Sequence, residues 1–197
     1  MGYHHGDLKG AILRAAEEIL EEEGIQGLTL RGAARRAGAS HAAPKNHFGD
    51  LSGLLSELAA VGFARFRDEM LSGVREGDPP ASRSLAVGRG YVRFARRNPG
   101  LFLLMFRSEQ LDMERPALRE AAQAASAVLA GTTGGHPGAS APVSLAHAVQ
   151  MVGAWSTVHG LAMLLLDGRL DPLVAHLPEG VTEEDLVAMV LTGGECA

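Results

Sequence analysis

Hydrophobic and polar positions along the chain follow a helical period from near the N-terminus onward. Leu8, Ile12, Ala16 and Ile19 recur at spacings of three and four, and glutamates fill the positions between them. No segment of useful length alternates as a strand does, and no repeat of about 20 to 50 residues is visible. We therefore expect an all-α fold.

Cap and stop signals divide this pattern into nine helices. Gly24 and Gly38 end the first two, and Thr182 with Asp185 can form a capping box at the last. A Gly-rich stretch at 131–140 indicates a loop. The predicted helices cover 8–23, 29–37 capped by Thr29, 40–47 capped by Ser40, a fourth from Asp50 or Ser52 to about Arg75, 82–97, 99–107, 116–130, 143–166 and 182–191.

Residues 30–40 have the features of a helix-turn-helix. Small side chains at Ala33, Ala34 and Ala37 allow two helices to approach closely, and Gly38 permits a left-handed turn. The same features occur in an ordinary helical hairpin, so both interpretations stay open on this pattern alone.

A longer series of motifs favours the helix-turn-helix. It consists of Ile12–Ala16, Gly24, Leu28–Arg31, Ala34–Ser40, His47–Phe48 and Leu54–Leu55. In these residues the chain from Tyr3 to Leu55 resembles the DNA-binding domain of the TetR family of bacterial transcriptional repressors. Its first residues, Tyr3–Leu8, resemble an N-terminal arm found in one branch of that family.

The resemblance implies a role for each matching position. Residues 41–47 would form the recognition helix, Phe48 would be core, and the helix would enter the major groove of DNA. The expected DNA-binding residues are Thr29, Arg31, Ser40, His41, Ala42, Ala43, Lys45, Asn46 and His47.

Three positions depart from the family pattern. Lys45 stands where the family usually has Tyr, Leu51 where it has Lys, and Pro44 where Leu is common. Lys45 can still bind a phosphate as a point charge, whereas Leu51 cannot. The change at Leu51 is expected to weaken DNA binding or alter its geometry.

Charge alone argues weakly against a nucleic-acid partner. The 197 residues carry a net charge of −5, and residues 1–50 carry six basic and seven acidic side chains, a net of −1. The segments Arg31–Arg36 and His41–His47 contain no acid, however, so a positive face can form on this head.

The first residues lack a signal peptide, and no apolar run approaches the roughly 18 residues of a membrane span, so we expect a cytoplasmic protein.

The sequence has no constellation that predicts catalysis, a cofactor or a metal site. Cys196 is a single cysteine, and no Ser-His-Asp or Cys-His arrangement has motif context. His4 and His5 with Asp7 could bind a metal incidentally. His147 and His159 are twelve residues apart, unlike a helical metal pair.

The second half offers flexible and aromatic apolar residues for a ligand pocket. Trp155 and His159 lie one helical turn apart and would give a mainly apolar pocket an orienting group, although His159 could equally be a core residue. The segment 153–162 also resembles the signature of a TetR-type regulatory domain named for its Trp, His and Gly. The expected ligand-binding residues are Phe66, Tyr91, Phe102, Met105, Phe106, Met151, Trp155 and His159.

The leading hypothesis is a repressor with a DNA-binding head, 1–50, and a regulatory and dimerisation domain, 51–197. Two apolar helices, 143–166 and 182–191, would pair across a two-fold axis, and the homodimer would bind a near-palindromic double-stranded operator. An apolar small molecule would release it. The alternatives are a helical small-molecule-binding protein whose head no longer reads DNA, and an all-α enzyme.

Overall fold

The computed structural model describes residues 7–40, 42–107, 109–134 and 143–194. These residues form ten helices and no strand, which confirms the all-α prediction. The helices are α1 Leu8–Gly27, α2 Leu30–Arg36, α3 Ala43–Phe48, α4 Leu51–Leu71, α5 Pro80–Arg97, α6 Pro99–Arg107, α7 Pro116–Thr132, α8 Leu145–Leu166, α9 Asp171–Val174 and α10 Glu183–Leu191.

The chain packs as two compact units, and each is made of two stretches. The first consists of Met1–Ala64 and Asn98–Ala122. Its core comes from the inward stripe of α1, the small face of α2, the first half of α4 and the buried side of α6. Fully buried members include Ile12, Leu20, Ala34, Leu58 and Phe102.

The second unit consists of Arg65–Arg97 and Gln123–Ala197. Its core is aromatic: Phe66, Tyr91 and Phe94 are at most 2% exposed. The Phe66 ring meets Tyr91 edge-on at 4.7 Å and Phe94 at 5.1 Å, a favourable arrangement for aromatic quadrupoles. These two units do not test the predicted division into domains 1–50 and 51–197, which stays a prediction.

Local signals predict several helix ends correctly. The Thr29 hydroxyl accepts a hydrogen bond from the Gly32 amide at 3.0 Å and caps α2. Gly38 has φ +66°, the left-handed turn that glycine permits. Thr182 and Asp185 form the predicted capping box of α10.

The predicted start of α3 at Ser40 is wrong. The helix begins at Ala43 with Ala42 at the N-cap and no side-chain cap. A helix opened by Ser40 needs the amide of Pro44 to donate to the Ser40 carbonyl, and proline has no such hydrogen. The Ala43 amide donates to that carbonyl instead, at 3.1 Å, and Pro44 occupies the second helical position, where it is tolerated.

Other helix ends also differ from the prediction. Helix α4 stops at Leu71 because the Ser72 hydroxyl donates to the Glu69 carbonyl at 2.8 Å. At its start the prediction is confirmed, because the Asp50 carboxylate accepts from the Gly53 amide and caps α4. Helix α7 continues through Thr132, so the predicted loop begins later, and residues 135–140 lie outside the described ones. The sequence does not predict helix α9, because its four residues are too few to form a periodic pattern.

Helix α8 has an apolar surface that its own unit does not cover. It is long and apolar enough to cross a membrane by length and composition, with a mean hydropathy of 1.4, and 17% of its most apolar window is buried. The sequence-based expectation that no run approaches this length therefore does not hold by this measure. Its exposed side chains include Leu145, Val149 and Val152.

Candidate nucleic-acid interface and ligand cavity

The helix-turn-helix is built on small buried side chains. Ala33 and Ala34 on α2 are fully buried, and Phe48 at the end of α3 is 1% exposed. The Ala39 amide donates to the Ala34 carbonyl at 2.9 Å, which closes the turn at Gly38. The turn and both helices are thus fixed by backbone hydrogen bonds and close packing.

Most of the expected DNA-binding side chains face outward. Thr29, Arg31, Ser40, Ala42, Lys45, Asn46 and His47 are exposed. Ala43 is only 7% exposed and belongs to the core, so its side chain has little surface to offer a base edge. His41 lies outside the described residues, as do His4 and His5 of the N-terminal segment.

The charge on this surface is uneven. Arg36 pairs with Glu22 at 2.7 Å and with Glu23 at 3.5 Å, so its charge is compensated by the acidic end of α1. Arg31, Arg35 and Lys45 are exposed in a segment, residues 29–48, that contains no acid. The outward face of α2 and α3 therefore carries net positive charge although residues 1–50 together do not.

A single arginine fastens the end of α3. The Arg115 guanidinium donates to the Phe48 carbonyl at 2.9 Å and lies 3.7 Å from the Glu57 carboxylate. In the same segment the Asp112 amide donates to the buried Ser56 hydroxyl at 2.8 Å. No pattern in the sequence predicts this arrangement, because residues 109–115 are a loop without periodicity.

A glutamate of α1 binds the first turn of α6. The Glu21 carboxylate accepts hydrogen bonds from the amides of Gly100 at 3.1 Å and Leu101 at 3.0 Å. A carboxylate stabilises the unpaired amides and positive dipole end of a helix N-terminus. The acidic cluster on α1 is thus a set of structural contacts as well as a solvated face.

The second unit contains a cavity of about 580 Å³. Residues of α5, α7, α8 and α10 line it, together with Thr133 and Gly193 just beyond the ends of α7 and α10. Met151 and Trp155, both expected ligand-binding residues, are among them. Five lining residues carry hydroxyl groups that sequence reasoning does not single out: Ser84, Ser126, Thr132, Thr133 and Thr157.

Trp155, Tyr91 and His159 form a hydrogen-bonded chain beside the cavity. The Tyr91 hydroxyl lies 2.8 Å from His159 Nδ1, and the Trp155 ring lies 6.3 Å from the imidazole. Burial raises the pKa of Tyr91, and a hydrogen bond from Trp155 opposes that rise. The phenol therefore stays protonated, and its hydroxyl is hydrogen-bonded to His159 Nδ1.

The other expected ligand-binding residues are packed elsewhere. Phe66 is core in the second unit. Phe102, Met105 and Phe106 belong to the first unit, where Phe106 packs on Phe102 at 4.9 Å and on Phe63 at 5.6 Å. None of these four is among the described residues that line the cavity.

Within the described part of the chain, no group of three or more His, Cys, Asp or Glu side chains is arranged to hold a metal ion. His147 and His159 both lie on α8, and the His159 ring is joined to Tyr91. Cys196 lies outside the described residues.

Comparison with known proteins identifies a relationship over more than half of the chain. Residues 84–189 match the family model described as the tetracyclin repressor-like C-terminal domain. An uncharacterised HTH-type transcriptional regulator of Bacillus subtilis (strain 168), YobS, is 33% identical over 93 residues. That match covers 46% of this chain and 47% of YobS, so the chain spans about half the length of this curated relative.

Solved structures resemble the whole chain. A protein of unknown function from Rhodococcus sp. RHA1 is 32% identical, with a TM-score of 0.75 and coverage of 98% of this chain and 95% of that one. A TetR-family transcriptional regulator from Streptomyces coelicolor, 19% identical, shares the fold with a TM-score of 0.61 and coverage of 95% and 97%. Together with the matched C-terminal model, these likenesses show that the chain belongs to the TetR family of transcriptional regulators.

Proposed function

We propose that this chain is a cytoplasmic transcriptional repressor that binds DNA as a homodimer and leaves it when a small molecule enters the cavity of the second unit. The helix-turn-helix carries the proposal. Its outward face presents Arg31, Arg35, Lys45, Asn46 and His47 on a segment without acid. Such a face attracts phosphates and offers donors to base edges in the major groove.

The exposed polar side chains of this face have two kinds of role in the proposal. Arg31, at the start of α2, and Lys45, on α3, bind backbone phosphates and set the register of the head on DNA. Asn46 and His47 lie on the same short helix and can reach base edges. Ala43 is left out of the contact surface because it is buried.

The homodimer is supported by the uncovered face of α8. Leu145, Val149 and Val152 are 81%, 63% and 59% exposed at helical spacing, and Ser156 and Gly160 follow on the same face. The small residues allow a second helix to approach closely, and the apolar ones need cover from water. A second copy supplies a self-complementary face, as two-fold symmetry requires.

Two copies present two heads to two half-sites of an operator. A ligand shifts the repressor off DNA only if it binds the DNA-free conformation more tightly than the DNA-bound one. The cavity, with Met151 and Trp155 in its wall, is the place proposed for that ligand.

The test is a mobility-shift titration of the full chain with DNA that flanks its own gene, at low and at moderate salt. We expect a shift that weakens as salt rises, because phosphate binding releases counterions. Lys45→Ala should lower the slope of log affinity against log salt by about one unit for each phosphate that the variant no longer neutralises. Arg169→Ala, an exposed arginine of the second unit, is the matched control and should leave both affinity and slope unchanged.

The alternative is a helical small-molecule-binding protein whose head does not read DNA. Leu51, in place of a phosphate-binding lysine, and the net charge of −1 over residues 1–50 favour it. It predicts that no fragment flanking the gene shifts at low salt and that Lys45→Ala changes nothing. Those two results together would replace the repressor with this alternative.

A further inference from the structure

We propose that the ligand of the cavity is an uncharged molecule that donates a hydrogen bond through a hydroxyl or amide N–H group. This inference rests on the proposed ligand-binding role of the cavity and names the chemical class that it accepts. It follows from three properties of the lining residues: their lack of charge, the direction of their hydroxyl hydrogen bonds and the engagement of the Trp155 indole.

None of the described residues that line the cavity is Asp, Glu, Lys, Arg or His. The wall is made of aliphatic side chains, glycines, alanines, Trp155 and hydroxyl-bearing residues. A charged ligand would lose its hydration here without meeting a counter-charge, which is strongly unfavourable. The wall therefore selects against carboxylates, phosphates and ammonium ions.

Four of the five hydroxyl groups of the wall already use their protons, and Ser126 is the fifth. The four donate to backbone carbonyls within helices or between helix ends: Ser84 to Thr132 at 3.1 Å, Thr132 to Leu129 at 2.7 Å, Thr133 to Ala130 at 3.1 Å and Thr157 to Gly153 at 3.0 Å. A hydroxyl oxygen that donates its proton keeps its lone pairs as acceptors. These four groups thus offer a ligand acceptors.

The indole N–H of Trp155 also has a hydrogen-bond partner within the protein. Its indole N–H bonds to the Tyr91 hydroxyl, which in turn lies 2.8 Å from His159 Nδ1. An indole has one donor and no acceptor, so this bond uses its hydrogen-bonding capacity. Trp155 then meets a ligand with the apolar face of its ring.

A ligand that brings its own proton can donate to four of the five hydroxyl oxygens of this wall, whereas one that brings only acceptors meets a hydroxyl donor at Ser126 alone. An alcohol or amide donates to a threonine oxygen without displacing a backbone bond. An ether of the same size finds no hydroxyl donor at the other four positions, and an oxygen buried there without a donor costs affinity. A carboxylate adds the loss of ionic hydration to that cost.

The experiment uses three probes of similar length that do not absorb where tryptophan does: 1-octanol, heptyl methyl ether and octanoate. Trp155 is the single tryptophan of the chain and lies in the cavity wall, so its emission reports binding directly. Each probe is titrated into the full chain, and calorimetry provides a second reading of the dissociation constant. We expect 1-octanol to bind about two to ten times more tightly than the ether, the effect of one hydrogen bond, and octanoate to show no saturable binding.

A variant that combines Ser84→Ala, Thr132→Val, Thr133→Val and Thr157→Val tests the acceptors themselves, because it removes all four oxygens. This variant should bind 1-octanol as weakly as the unaltered chain binds the ether, with no change in its affinity for the ether. Thr192→Val is the matched control: its hydroxyl also donates to a backbone carbonyl, that of Ala188 at 3.1 Å, but Thr192 is not among the lining residues. It should leave both probes unaffected.

Several results would overturn the inference. They are equal binding of ether and alcohol, octanoate binding as tightly as 1-octanol, and a cavity that binds none of the three. A variant without all four oxygens that binds both neutral probes as before would refute the role given to these hydroxyl groups. The DNA shift of the same protein is measured separately, so a cavity that fails these tests leaves the proposed DNA binding standing, and the reverse also holds.

Discussion

Among single residues, burial has its clearest effect on the pKa of Tyr91. This side chain is fully buried, which raises its pKa, and its hydroxyl is hydrogen-bonded to His159 Nδ1. The sequence identifies Trp155 and His159 as a pair because they lie one turn apart on an apolar helix. It cannot identify the bond to Tyr91, because 68 residues separate that side chain from His159.

The raised pKa of Tyr91 makes stability depend on pH at the alkaline end. The folded chain keeps this proton at pH values where the unfolded chain has lost it, so the free energy of unfolding falls as pH rises above about 10. We expect Tyr91→Phe to flatten this fall. Denaturant unfolding at several pH values measures it, and equal slopes for the two proteins would contradict the role given to the Tyr91 proton.

Arg115 is the second residue whose importance no local pattern shows. It holds the Phe48 carbonyl and the Glu57 carboxylate, and Arg115→Met would leave that carbonyl without this partner. We expect a loss of about 1–3 kcal/mol in the free energy of unfolding. Arg119→Met, at a half-exposed arginine 3.9 Å from Glu114, should change it by less than about 0.5 kcal/mol. Equal effects of the two changes in chemical denaturation would refute the role of Arg115.

Among the helices, capping and start signals that lie within one helical turn predict the helix ends correctly. Pro99 opens α6, Thr29 caps α2, and Thr182 with Asp185 caps α10, as the sequence predicts. Errors arise where two local signals compete or where a further contact decides. Pro44 removes the amide that a cap at Ser40 needs, and the predicted extension of α4 to Arg75 fails at the Ser72 bond to Glu69.

Helix α8 carries the prediction about assembly. If the exposed apolar face of α8 packs against the same face of a second copy, Val149→Glu places a charge in that interface. The change should convert the dimer to a monomer of 20.6 kDa. Leu173→Glu, an exposed apolar residue of α9 at 55% exposure, is the control and should leave the dimer intact. Light scattering after size exclusion gives both masses. A dimer that survives Val149→Glu would place the interface elsewhere.

At the scale of the whole molecule, the net charge says less about the binding partner than the positions of the charges do. The chain has a net charge of −5, yet residues 29–48 contain no acid, and the acids of α1 bind Arg36 and the start of α6. The fold class can be predicted from periodicity, whereas the helix-turn-helix is favoured over an ordinary helical hairpin only through the resemblance to the TetR family. The cavity cannot be predicted, because its lining combines helices far apart in sequence and includes Thr132 and Thr133, which fall within the Gly-rich stretch that predicts a loop.

The proposed function depends above all on sequence-specific DNA binding by the outward face of α2 and α3. A fluorescence-anisotropy titration of the full chain tests this with a fragment flanking its own gene and a scrambled fragment of equal length and composition. We predict binding to the native fragment at least about a thousandfold tighter at physiological salt, the lower end of typical specificity ratios. Equal affinity for the two fragments at every salt concentration would contradict sequence-specific binding.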